Sequence, residues 1–348
     1  MKDGDLTICF FGIYNPDYIR NRVLKQGLEQ NDVNIIECFS NKTGFLKYLD
    51  LVKKYWKIRK DFNVLLVAFP GYQVMFLARF LTKKKIIFDS FASIYESEVF
   101  DRKNTKKGSL KARYFWFIDK LSCKLADKVL LDTNEHIDYF VKEFGLNKGK
   151  FERIFIGVDD TYLKNLPIKV ENKKFIIHFH GTNIPLQGIR YILEAADLLK
   201  EHSDIKFVFV GPGISENKEF LLDNVDMVGK ISYSEVLDYI DSSDICLGIF
   251  GDTDKTHRVI PNKVFECASR KKPVITADTK VVRELFDDND LLLIPTANSQ
   301  ELAKAILNLK NDPKKMDYLA QNGYNKVIKS SVPAILGKKL RDIIQDLI

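Results

Sequence analysis

Along this chain, short runs of consecutive apolar residues alternate with longer stretches whose apolar positions recur every three or four residues. The short runs in the first half are Leu6–Phe11, Val33–Cys38, Val64–Ala68, Lys85–Phe88, Lys128–Leu131 and Glu152–Ile156. In the second half they are Phe175–Phe179, Lys206–Val210, Val225–Val228, Ile245–Ile249, Pro273–Thr276 and Leu291–Ile294. Most lack polar alternation, the pattern of strands covered on both faces, so parallel sheets flanked by helices are expected. Between the runs, Ile189, Ile192, Leu193, Ala196 and Leu199 share one face of a helix, while Ser232 with Glu235 and Asn298 with Glu301 stand at capping-box spacing. The strand–helix alternation passes through six strands twice. It predicts an α/β protein of two doubly wound, Rossmann-like parallel-sheet domains, residues 1–160 and 161–330, joined by a polar linker from Gly157 to Lys174. Residues 331–348 read as a C-terminal helix returning to the first domain.

Composition changes this picture little; charge changes it more. A chain of 348 residues fits two domains. No apolar run approaches the roughly 18–20 residues of a membrane span, and Met1–Asp5 leads straight into a strand, so no signal peptide is expected. Cys9, Cys38, Cys123, Cys246 and Cys267 have no C-x-x-C spacing and read as buried thiols of a reducing compartment. The net charge of +7 lies in the first half, where 28 Lys+Arg face 21 Asp+Glu; the second half is balanced, 26 against 26. Two basic-aromatic stretches carry part of the surplus, Lys47–Lys60 and Lys106–Phe117. They suit an anionic membrane surface, with Tyr55 or Trp56 inserting, and equally suit ordinary helices with aromatic cores. No nucleic-acid-binding motif accompanies the charge.

Ligands of doubly wound sheets bind beyond the carboxyl ends of the strands, so a cleft between two such domains is the expected site. The richest stretch there is Arg258–Ala268. Pro261 suits a helix entrance and Asn262 its cap. Lys263 in the first turn would join the free amides and the dipole in binding phosphate, and Glu266, one turn deeper, could accept hydrogen bonds from ribose hydroxyls.

Around that stretch, the second half resembles the nucleotide-sugar-binding domain of family 4 GT-B glycosyltransferases. The matching pieces, in order, are Ile156–Asp159, Gly181, Gln187-Gly188-Ile189, Glu194–Ala196, Val210–Gly213, Val228–Ile231, Asp241–Ile245, the Pro-Asn-Lys-Val-Phe-Glu helix, Lys272–Thr276 and Arg283–Leu285. The first half resembles the family through Phe11–Tyr14, whose Gly12 fits a glycine loop at the donor diphosphate, and through Ala126–Thr133. The resemblance implies a retaining transferase of the cell-envelope glycan type, moving a sugar from a nucleotide-sugar donor to a glycan or lipid-linked acceptor. No cofactor is expected, and no metal, because Asp252-Thr253-Asp254 has D-x-D spacing but lies in a flexible-looking stretch beside cations. The charge split and the two basic-aromatic stretches suggest a cytoplasmic protein, peripheral on the inner face of the plasma membrane. Donor contacts implied are Gly12, Gly181, Thr182, Gln187, Gly211 and Val264, together with Lys230 and Ile231 at the base, Asn262 and Lys263 at the diphosphate, and Glu266 at the ribose.

The chain departs from that family at two cations, one carboxylate and one imidazole. Thr182 stands where Arg is usual, Gln187 where Lys is usual, and Arg258 where Glu is usual; no His appears in Phe88–Phe91. A relocated charge set of Lys263, Arg258 and His257 is expected to neutralise the leaving diphosphate. Asp89 is the candidate polar group at the acceptor, or a strand-end turn former. Arg20 and Arg22 could grip an acceptor phosphate or form surface ion pairs. His136, near a helix start, could face the cleft or be structural. A dehydrogenase is disfavoured because Gly211–Glu216 breaks G-x-G-x-x-G. A GT-B epimerase and a non-catalytic nucleotide-sugar-binding partner remain as alternatives.

Overall fold

The computed structural model describes residues 6–164, 173–214 and 222–348. It divides into two compact units, one of Met1–Asp159 with Val332–Ile348, the other of Asp160–Ser331. Part of the expected linker, residues 165–172, lies outside the described residues.

The first unit holds six parallel strands: β1 (Thr7–Gly12), β2 (Asn34–Phe39), β3 (Val64–Val67), β4 (Ile86–Asp89), β5 (Lys128–Leu131) and β6 (Phe151–Arg153). Their order is β2-β1-β3-β4-β5-β6. Its helices are α1 (Ile19–Glu29), α2 (Leu46–Ile58), α3 (Met75–Leu81), the short α4 (Ile94–Glu96), α5 (Leu110–Leu125) and α6 (Asn134–Phe144). Because successive strand side chains point to opposite faces, each apolar run feeds two cores. Cys9 and Phe11 of β1 turn toward α2, α3, α5 and α6, whereas Ile8 and Phe10 turn toward α1 and the C-terminal helix.

The second unit holds β7 (Phe175–His180), β8 (Ile205–Val210), β9 (Val225–Val228), β10 (Ile245–Leu247), β11 (Val274–Ala277) and β12 (Leu292–Ile294), all parallel, in the order β12-β11-β10-β7-β8-β9. Its helices are α7 (Ile189–Leu198), α8 (Tyr233–Asp241), α9 (Asn262–Ser269), α10 (Ser299–Lys310) and α11 (Pro313–Ser330). Ser232 and Glu235 complete a reciprocal capping box on α8, and Asn298 caps α10 through the Glu301 amide. In each sheet one strand, β1 or β7, has its successor on one side and a crossover partner on the other. Its carboxyl end is the topological switch point where ligands bind such sheets.

Three expectations change. Asn262 does not cap α9: Pro261 is the N-cap, with no side-chain capping bond, and Asn262 is the first helical residue. The run expected as Glu152–Ile156 ends as a strand at Arg153; the carbonyls of Ile154 and Phe155 instead accept hydrogen bonds from Arg20. Tyr55 is buried in the core beneath α2, so of the two aromatics expected to insert into a membrane only Trp56 is exposed.

The chain returns to the first unit as α12 (Pro333–Gln345), which lays Leu336, Leu340, Ile343 and Ile344 on the core beside α1. The two helices cross at glycines. A Cβ on Gly337 would stand 2.0 Å from the Gly27 carbonyl, and one on Gly27 would stand 2.4 Å from the Pro333 carbonyl oxygen. Backbone contact of this kind leaves no flexible side chain to yield. Gly337→Ala should therefore lower stability by about 1–3 kcal/mol in urea unfolding, while Gly229→Ala, whose added methyl meets nothing within 4 Å, stays within about 0.5 kcal/mol of wild type.

Candidate functional site

In the second unit the loops at the carboxyl ends of β7, β8 and β10 are bound to one another through their backbones. The Gly181 amide donates to the Val210 carbonyl at 2.9 Å and the Asn183 amide to that of Pro212 at 3.3 Å. Gly211 sits so close that a Cβ would lie 1.9 Å from the Gly181 oxygen, and both glycines have positive φ, 139° and 154°. Only glycine meets both demands. On the other side, the amides of Phe250 and Gly251 donate to Gln187 and Leu186, and Gly188, at φ 67°, would bring a Cβ within 2.4 Å of the Gly251 nitrogen.

Helix α9 enters this frame with Lys263 and Glu266 on one face. Lys263 is almost fully buried. Its ammonium lies 3.6 Å from the centroid of the Phe179 ring, donates to Gln187 Oε1, and stands 2.9 Å from where a Gly181 Cβ would be. Burial pushes it down to about 7, against the weaker pull of Cys267 and Glu266. Lys263 thus occupies the space beside Gly181 and Gln187, where the family's usual cations are absent. Glu266 accepts a hydrogen bond from His180 Nε2 at 2.8 Å, and the Tyr233 hydroxyl approaches its other oxygen at 3.5 Å. Tyr233 stands two residues after Ile231 and packs on Tyr162, ring centroids 5.1 Å apart. Lys230 and Thr182 are exposed. Arg258 pairs with Asp254 at 3.4 Å, so the D-x-D spacing supplies an ion pair. Among the described residues no group of three or more His, Cys, Asp or Glu is placed to hold a metal ion.

The acceptor-side expectations in the first unit fare differently. Asp89 and Arg20 are both fully buried and face each other, Arg20 Nη2 to Asp89 Oδ1 at 2.9 Å, with the rest of the guanidinium spent on Asp89 and two backbone carbonyls. Neither faces an acceptor: the forked guanidinium is clamping the strand ends together. Arg22 pairs with the buried Asp159. His136 is also buried, its Nδ1 2.8 Å from Asp132 and its Nε2 3.5 Å from Glu96. Burial opposes the imidazolium, but the two carboxylates outweigh it and raise His136 to about 9. It is a structural cation. Gly12, at φ 150°, leads into a loop that lines a concavity of about 720 Å³ with Tyr14, Asn15, Phe39, Ser40 and Lys42.

Residues 164–326 match the family model described as glycosyl transferases group 1. That segment is similar to group 1 glycosyl transferase domains. The whole chain also has the GT-B fold of solved structures. Anabaena HepE, solved in complex with UDP and glucose, is 13% identical over 98% of this chain and 100% of its own, with a TM-score of 0.70. Sucrose-phosphate synthase from Thermosynechococcus elongatus is 12% identical over 99% of both chains, also with a TM-score of 0.70. A glycosyltransferase from Rickettsia africae is 16% identical over 99% of this chain and 98% of its own, with a TM-score of 0.69. No curated protein matches the chain by sequence.

The second unit also holds two histidines that sequence reasoning missed. His178 and His180 alternate along β7 and so share one face, 2.9 Å apart at Nε2 and Nδ1. The signal available was the His-Phe-His run ending at Gly181, absorbed into a strand by its apolar neighbours. Lys263 carries a testable consequence without any ligand. Its ordinary value is near 10.4 and its folded value about 7. The folded domain therefore binds fewer protons than the unfolded chain between those limits, and stability rises with pH across the window. Relative to Lys263→Met, wild type should gain about 1 kcal/mol per pH unit from pH 7 to 9, read from melting temperatures at matched ionic strength.

Proposed function

We propose that this protein transfers a sugar from a nucleotide-sugar donor to a glycan or lipid-linked acceptor, with retention and without a metal. The observation that carries the reading is the buried Lys263–Glu266 turn of α9, set among glycine loops at the switch point of a group 1 domain. A nucleotide diphosphate needs positive charge and free amides, which Lys263 and the start of α9 offer. Its ribose needs an acceptor for hydroxyl protons, which Glu266 offers. The loop at Lys230 and Ile231 would hold the base. A UDP-sugar is the first candidate, since HepE is solved with UDP and glucose. Calorimetric titration should give saturable binding of UDP or a UDP-sugar, weakened about tenfold or more by Glu266→Gln. Sugar transfer should survive EDTA. No binding of any nucleotide sugar would overturn the reading. Binding without turnover on any acceptor would favour the non-catalytic partner, and a donor converted without acceptor the epimerase.

A second observation supports a membrane-linked acceptor at the cytoplasmic face. Among the described residues, nine of the fourteen large hydrophobic side chains that stand exposed lie between Phe45 and Phe117. They sit on α2, α3 and α5 and their entrances, three helices that pack on the same side of the sheet. Phe80 is 88% exposed, Leu110 84% and Phe45 72%. Helix α3, which neither basic-aromatic stretch includes, adjoins both α2 and α5 and adds Phe76 and Phe80 between them. Interleaved are Lys47, Lys53, Lys57, Lys106, Lys107 and Lys111. Each cation near an anionic leaflet contributes about 1 kcal/mol, fading over a Debye length of ~8 Å. No helix of the described residues is long and apolar enough to cross a membrane. The protein should co-sediment with anionic vesicles at low salt and be released from them by high salt, and should leave neutral vesicles unbound. Phe76→Ser with Phe80→Ser, or Lys53→Glu with Lys57→Glu, should each reduce pelleting several-fold; equal pelleting with both lipids would overturn the docking.

A further inference from the structure

On α9, Lys263 and Glu266 stand three residues apart, a spacing at which a lysine and a glutamate ordinarily pair. Here each is held by a different partner. Lys263 is bound to Gln187 and the Phe179 ring, and Glu266 Oε2 to His180 Nε2 at 2.8 Å. The chemistry of the partners fixes the protons along the chain that ends at Glu266. A carboxylate only accepts, so His180 Nε2 carries the hydrogen. The Nδ1 of a neutral His180 is then an acceptor, and the group facing it at 2.9 Å, His178 Nε2, must donate. That leaves His178 Nδ1 with a bare lone pair, and among the described residues it has no hydrogen-bond partner. His178 is fully buried and stacks on Tyr239, rings 16° apart. Burial, with His180, Lys263 and Lys272 nearby, holds it well below the ordinary imidazole range, so it stays neutral and keeps the single tautomer.

We propose that His180, backed by His178, is a positioning residue that holds Glu266 away from Lys263 and presents its free oxygen, Oε1, to a ribose hydroxyl of the bound nucleotide. This rests on the donor-site reading above. Oε2 is engaged by His180, and Oε1 has only the 3.5 Å approach of the Tyr233 hydroxyl, at the long limit of a hydrogen bond. A ligand hydroxyl can displace so weak a contact. Lys263 meanwhile stays available to a phosphate, whose charge would draw a proton onto it, instead of pairing with the glutamate beside it. The device depends on both histidines: without the His178 proton, His180 could turn its ring or exchange tautomers, and Glu266 would lose its anchor.

Two measurements test this, one without any ligand. In nitrogen-15 spectra of the free protein at neutral pH, both rings should show the Nε2–H tautomer, with a slowly exchanging proton on His180 that Glu266→Ala abolishes. A hydrogen on Nδ1 of His180 would overturn the relay. The second is a titration with UDP and with UDP-glucose. His180→Phe keeps the volume but removes the donor, and should weaken binding about tenfold or more. His180→Gln places an amide N–H near the former Nε2 and should stay within about threefold. In a Glu266→Ala background, His180→Phe should cost nothing further, because its effect passes through the glutamate. Equal loss in Phe and Gln variants, or an undiminished loss in the Glu266→Ala background, would make His180 a packing residue and overturn the proposal. Wild type that binds no nucleotide sugar overturns the donor reading and this role with it; wild type that binds, with an unaffected His180→Phe, overturns this role alone.

Discussion

In each unit the winding of the sheet reverses at one strand, and the carboxyl end of that strand is left as a crevice between the helices of the two halves. Everything of chemical character in the second unit depends on how the chain leaves β7 at that point. The backbone must pass against the loop after β8 on one side and the loop after β10 on the other, at distances no side chain tolerates. Glycine at 181, 188 and 211 is the price of that approach. In return the Gln187 side chain and the Phe179 ring meet the ammonium of Lys263 on α9, and His180 meets Glu266.

The clusters around Asp89 and His136 in the first unit and around Lys263 in the second treat buried charge in opposite ways. In the first, charges are closed against one another: Arg20 with Asp89, and His136 between Asp132 and Glu96. Such pairs recover by mutual attraction what they lose in hydration, and removing one partner strands the other. They brace the strand ends without offering anything to a ligand. In the second unit, buried Lys263 has only a neutral amide and an aromatic face as direct partners, and Glu266 only an imidazole and a distant hydroxyl. Those contacts hold geometry without pairing the lysine to the glutamate, which suits a site awaiting an ionic and hydroxylated ligand.

Much of the fold was legible because buried parallel strands are written as unbroken apolar runs. All twelve runs became strands, with ends shifted by a residue or two, as at Ile86–Asp89, or shortened, as at Phe151–Arg153. The Ser232–Glu235 capping box was legible for a related reason, since both partners lie within one turn. Asn262 misled because Pro261, with its extended backbone, already serves as the N-cap. The site was legible where residues are near in sequence, as in the Lys263–Glu266 turn, and opaque where partners are far apart. Nothing local to Arg20 shows that Asp89 will meet it, and nothing local to Glu266 points back to His180.

By itself the sequence determined which segments are strands, that both sheets are parallel and helix-covered, and that one helix start bears a lysine and a glutamate three residues apart. These follow from periodicity and spacing, which act over a few residues. Tertiary structure alone decided which charges are spent and which are kept. Asp89 and His136 became structural because sheet order set Arg20, Asp132 and Glu96 beside them. Lys263 and Glu266 stayed apart because β7, separated from α9 along the chain by β8, β9 and β10, put Phe179 and His180 between them and their ordinary pairing. Charge is a property of composition, but whether it is neutralised depends on a neighbour within about 4 Å, and only folding chooses that neighbour.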